Sequence, residues 1–100
     1  MIMNKHRGSD EFGHVPLDDY ENYYYSNDID VASVLICKGY ELQDVVPISH
    51  NKATFVFKNN EVITDAVEGF WSNRIEVHPL EFANHRKNLK SRIFGMRKDY

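Results

Sequence analysis

Ala53-Thr54-Phe55-Val56-Phe57-Lys58 is the run on which the fold of this chain turns. β-Branched and aromatic residues alternate in it with period two, which puts Ala53, Phe55 and Phe57 on one face of a strand. Two rings on one face need a cover, and amphipathic segments flank the run on both sides. Just upstream, Tyr40 to Ile48 carries the strand formers Leu42, Val45, Val46 and Ile48. Pro47 interrupts them, and because proline has no N–H to give a ladder, this strand is expected at an edge or a bulge. The polar Ser49-His50-Asn51-Lys52 joins the two runs, so residues 40–58 read as a β-hairpin.

Helical patterns surround the hairpin. Ser26-Asn27-Asp28 suits a helix start: Ser or Asn can accept free backbone N–H groups, and Asp28 and Asp30 favour the positive end of the dipole. Ile29, Ala32, Leu35 and Ile36 then recur at helical spacing, while Val31, Val34 and Cys37 widen the apolar surface beyond one stripe. Lys38-Gly39 is a stop, with glycine for a left-handed cap. After the hairpin, Asn59-Asn60 leads into Val62, Ile63, Ala66, Val67 and Phe70, a stripe for a helix lying on a sheet, with Trp71 at its edge. Arg74-Ile75-Glu76-Val77 reads as a short third strand. His78-Pro79 opens a last helix, with Glu81 near its positive end. On its wheel Phe82, Leu89 and Ile93 cluster within about 40 degrees, and Gly95 is expected to end it.

The first 18 residues hold scattered apolar side chains without period, broken by Gly8, Gly13 and Pro16, and read as an arm. Four tyrosines in six positions follow among acids, Tyr20, Tyr23, Tyr24 and Tyr25, as a short strand or an ordered approach to the first helix. The expected architecture is a small two-layer α+β domain, an antiparallel β-hairpin plus a short third strand covered by three helices. Its bounds are an N-terminal arm over 1–24, the domain over 25–95 and a basic tail over 96–100.

Totals narrow the class. One hundred residues, 42% hydrophobic, make one globular domain at most. No apolar run approaches the roughly 20 residues that cross a bilayer, and the N-terminus lacks the apolar centre of a secretory signal. A single cysteine, Cys37, fits a reducing compartment, so a cytoplasmic protein without membrane contact is expected. The net charge of −3 hides an asymmetry: residues 1–73 carry 5 Lys+Arg against 12 Asp+Glu, residues 74–100 carry 7 against 3. The acidic pI therefore leaves room for an anionic partner at the C-terminal end.

Tyr25-Ser26-x-Asp28 opening a helix, Ala32…Leu35…Lys38-Gly39-Tyr40-Glu41-Leu42, and Lys52-Ala53-Thr54-Phe55-Val56-Phe57 together resemble a small domain family of unknown function, DUF5659. Phe70-Trp71, Val77-x-Pro79-x-x-Phe82 and Leu89-Lys90-Ser91-Arg92-Ile93 extend the resemblance over about residues 24–94. It implies a compact domain of bacterial or phage origin, and it brings no activity, catalytic residue or cofactor.

His6, His14, His50, His78 and His85 show no i,i+4 pair, and with one cysteine there is no C-x-x-C, so no metal is expected. Cys37 falls in the last turn of a mostly apolar helix, where the dipole disfavours a thiolate; it reads as an inert buried thiol. The five glycines stand apart, and no phosphate-cradling loop is formed. No enzyme and no cofactor are expected. The C-terminal segment is different, with six cations in the thirteen residues from Arg86 to Lys98. Cations beside His85, Asn88 and Ser91 suit phosphate contacts, although on the wheel they spread over both flanks of the apolar stripe, as on a solvated helix. The tyrosines could stack on bases, form a protein-binding patch or pack on the domain, and the acids around them argue against phosphate there.

The leading expectation is a small non-enzymatic binding module, accessory to DNA or RNA, with Arg86, Lys87, Lys90 and Arg92 on phosphates. The competing expectation is a protein-interaction factor, such as a phage inhibitor of a host defence or regulatory protein. It would use the acidic tyrosine-rich segment, with Tyr20, Tyr23, Tyr24 and Trp71 as contacts. A self-associating structural subunit is a third possibility, and the oligomeric state is left open.

Overall fold

A computed structural model describes residues 16–97 of the chain, except for the side chain of Arg97. The elements run β1 (Tyr23–Ser26), α1 (Ile29–Cys37), β2 (Leu42–Ser49), β3 (Lys52–Lys58), α2 (Ile63–Trp71) and α3 (Pro79–Arg97). The three strands form one antiparallel sheet in the order β1-β3-β2. This is the expected small α+β domain, with the hairpin at its centre and three helices.

β3 is the middle strand, and Ala53, Phe55 and Phe57 are buried on one face, as their alternation dictates. Across from them the register sets Pro47 opposite Ala53, Val45 opposite Phe55, and both Leu42 and Tyr24 opposite Phe57. β2 is an edge strand, which is where Pro47 is tolerated, and its register slips between Leu42 and Asp44 and again between Pro47 and Ser49. Helices cover this face: Val31, Ala32 and Leu35 of α1, Ile63 of α2, and Leu89 and Ile93 of α3 join the strand residues in one core. The reverse face is not open either. Val56 is fully buried there beside its register partner Tyr25.

The helix ends follow capping chemistry. Asp28, rather than Ser26 or Asn27, is the N-cap of α1, its Oδ1 accepting from the N–H groups of Asp30 (2.8 Å) and Val31 (3.0 Å). At the other end Gly39 adopts φ +92°; its N–H donates to the Ile36 carbonyl and that of Tyr40 to the Leu35 carbonyl. The same pair of bonds closes α2, from Asn73 to Phe70 and from Arg74 to Gly69, with Asn73 at φ 60° in the glycine role. Five consecutive residues of α1, Val31 to Leu35, are buried, which accounts for its broad apolar surface; the hydroxyl of Ser33 is satisfied by donating to the Ile29 carbonyl at 2.7 Å.

Three boundaries differ from the sequence reading. The third strand is β1, which takes the free edge of β3, and residues 74–77 form no strand. With both edges of β3 filled, that segment bridges α2 and α3 instead, Ile75 lying against Gly69 of α2. β1 also starts at Tyr23, within the stretch assigned to the arm. Gly95 does not stop α3: the helix continues to Arg97, and Met96 packs against the core. A packed residue beyond it outweighs the weak helix propensity of one glycine.

Candidate functional site

α3 is fastened to the domain by two buried apolar residues, Leu89 and Ile93, with Phe82 half-buried. It runs antiparallel to α1: Arg86 reaches Asp30 in the first turn of α1, while Glu81 lies near Cys37 in its last. The Nε–H of Arg86 donates to Asp30 Oδ1 at 2.6 Å, a partly exposed pair that uses one of the five guanidinium donors.

Where α3, the hairpin end and the start of α1 meet, they enclose a cleft of about 610 Å³. Its floor is apolar, made by Ile29, Ala53, Phe55 and Ile93. At its mouth stand Ile48 (56% exposed) and Phe94 (50% exposed). Three cations line it, Lys52 from β3 and Arg86 and Lys90 from α3, and among the described residues no carboxylate does. Two asparagines complete the wall, Asn27 and Asn51. Their carbonyl oxygens are occupied: Asn27 Oδ1 accepts from the Thr54 hydroxyl at 2.7 Å, and Asn51 Oδ1 from the Ser49 hydroxyl at 3.2 Å.

A shallower groove continues along α3 itself and adds Lys87 and Ser91 to Arg86, Lys90 and Phe94. Of the four cations assigned to phosphate contact, Arg86, Lys87 and Lys90 thus share one side of the molecule. Arg92 is exposed on α3 but lines neither depression. Lys52, which sequence reasoning treated as turn and strand residue only, is the cation that the fold adds. The basic residue Lys98 lies outside the described residues, as do His6 and His14.

The tyrosine segment divides. Tyr24 is half-buried and packs against the core, opposite Phe57, and burial pushes its phenol pKa up. Tyr25 ties down the preceding chain: its hydroxyl donates to the Pro16 carbonyl at 2.6 Å and accepts from the Asp19 N–H at 3.1 Å. Its pKa is raised, first by burial and then by the carboxylates of Asp19 and Asp18, against the lowering effect of its backbone hydrogen bond. Tyr23 is half-buried, tilted against Tyr25, and Tyr20 meets Tyr25 edge-on at 5.3 Å yet is 72% exposed. Trp71 is 65% exposed at the end of α2, and its ring partner is Phe70 at 4.8 Å, not the tyrosines.

Cys37 is half-buried rather than buried. Burial first, and Glu81 second, raise its pKa against the pull of Lys38, so the thiol stays protonated. Among the described residues no group of three His, Cys, Asp or Glu side chains could hold a metal ion, and no helix is long and apolar enough to cross a membrane.

No curated protein and no solved structure matches this chain. A family model does: the one described as a domain of unknown function, DUF5659, matches residues 21–95, from just before β1 to the last turn of α3. The chain belongs to the DUF5659 family.

Proposed function

We propose that this domain is a non-enzymatic binding module for nucleic acid, taken against the side of α3 that carries Arg86, Lys87 and Lys90. The observation that carries the reading is the convergence of Lys52 with Arg86 and Lys90 on one cleft free of lining carboxylates among the described residues. Cations from two elements remote in sequence, aimed at one concavity, concentrate positive potential in a protein whose net charge is −3. Lys52 takes the place of Arg92 in the set assigned to phosphates. The setting we infer is the cytoplasm of a bacterium or of a phage-infected cell, where a lone protonated thiol such as Cys37 persists.

The test is fluorescence anisotropy of labelled DNA and RNA at low and near-physiological salt, with wild type and with Lys87→Glu/Lys90→Glu. The expected outcome is affinity that falls with salt, with a log–log slope of about −0.7 to −0.9 per neutralised phosphate, and is lost in the variant. Absence of binding at low salt would reject the reading.

A second reading rests on Tyr20, exposed beside the exposed Asp18 and Glu21. A protein partner held there would form a stoichiometric complex that survives the Lys87→Glu/Lys90→Glu change and is lost in Tyr20→Ala.

A further inference from the structure

Phosphate contact does not account for the composition of the cleft. Ala53, Phe55 and Ile93 close its floor as buried core residues, and the apolar surface it offers is that of Ile48 and Phe94 at the mouth with half-buried Ile29, which no phosphate or ribose would solvate. Duplex nucleic acid offers a protein its phosphates and the edges of its bases, while the flat faces stay stacked inside. Against a duplex the apolar mouth would be left uncovered and the cations of a concave wall would reach few phosphates.

We infer that the cleft takes single-stranded nucleic acid, with an unstacked base over Ile29, Ile48 and Phe94, and its flanking phosphates on Lys52, Arg86 and Lys90. This rests on the nucleic-acid reading above and specifies its ligand. The volume of about 610 Å³ is of the size that holds a small ligand, room enough for a base with its sugar. Asn27 and Asn51 line the cleft, and an amide side chain can donate to the acceptors that every base carries on its edge. Aromatic or apolar platforms beside a cationic track are the chemistry by which single strands are held without strict sequence preference.

The experiment compares one labelled oligonucleotide as a single strand and as its blunt duplex, in the same salt, against wild type, Ile48→Ser, Phe94→Ser and Lys52→Glu/Lys90→Glu. Ile48 and Phe94 are each about half exposed, so either serine variant keeps the fold, which circular dichroism verifies. The single strand is expected to bind at least about tenfold more tightly than the duplex. Each serine variant should weaken the single strand about tenfold without changing its salt slope or the residual duplex binding, as loss of base stacking does. The lysine variant should reduce that slope. A duplex bound as tightly as the strand, or serine variants that weaken both forms alike or neither, would overturn the inference and leave the broader nucleic-acid reading standing. A free nucleoside monophosphate that competes as well as the strand would make the ligand a nucleotide and overturn it too. Binding to neither form would remove both readings together.

Discussion

Two single residues set conditions that measurement can reach directly. Tyr25 holds residues 16–19 to the sheet through one hydroxyl, and burial with the nearby carboxylates raises its pKa above 10.0. A raised phenol means that the native state keeps its proton longer than the unfolded chain. The stabilisation is therefore full below about pH 10 and is lost as pH rises through the folded value. In an alkaline absorbance titration, Tyr25→Phe should remove a tyrosinate that forms late. The same variant should speed hydrogen exchange at the Asp19 amide and cost about 0.5–1.5 kcal/mol in denaturant unfolding. Gly39 makes a different demand. A Cβ there would meet nothing within 4 Å, so space is no obstacle to Gly39→Ala; φ +92° is. The expected loss is about 1 kcal/mol from the backbone alone, with Gly39→Asn milder because asparagine tolerates the left-handed region, as Asn73 does in the equivalent cap of α2.

Among elements, α3 joins stability to binding, and its two roles separate by residue. Leu89 is buried in the core, so Leu89→Ala should cost about 2–5 kcal/mol in chemical denaturation, the range for a leucine truncated in a packed site. Asp30→Asn acts on the outer side. Its ion pair with Arg86 is partly exposed at both ends, so screening by water holds its contribution below about 1 kcal/mol. The same substitution removes a negative charge beside the cleft and releases the Arg86 guanidinium, and oligonucleotide affinity measured by anisotropy should rise. A fall in affinity would show that Asp30 is needed to orient Arg86. The elements themselves were largely legible in advance. The alternation in β3, the asparagine and glycine stops, and the spacing in α1 and α2 are local signals. Arg74-Ile75-Glu76-Val77 also had a strand's local signal, but strand pairing is a contest for an edge, and Tyr23–Ser26 occupies the edge it would have needed.

For the molecule as a whole, stability is concentrated where Phe55 and Phe57 meet all three helices. Phe55→Ala should cost about 3–5 kcal/mol, followed by far-ultraviolet circular dichroism; Trp71, 65% exposed, should change its emission little on unfolding. Sequence alone determined the central hairpin and the three helices, the face on which Phe55 and Phe57 lie, an edge or a bulge for β2 and the glycine cap at Gly39, because each follows from contacts within a few residues or from a period along one segment. At the start of α1 it marked the right segment, and the structure made Asp28 the cap. The sequence also placed the family resemblance over about residues 24–94, against the 21–95 that the family model matches. The tertiary structure decided which segment completes the sheet, which of the C-terminal cations share a side, and that Lys52 stands with them. It also turned Tyr24 into a core residue and left Trp71 apart from the tyrosines. The reason is physical: a cleft is a relation between elements that the chain separates by tens of residues, and only the packing of α3 across the hairpin brings Lys52, Arg86 and Lys90 to one wall.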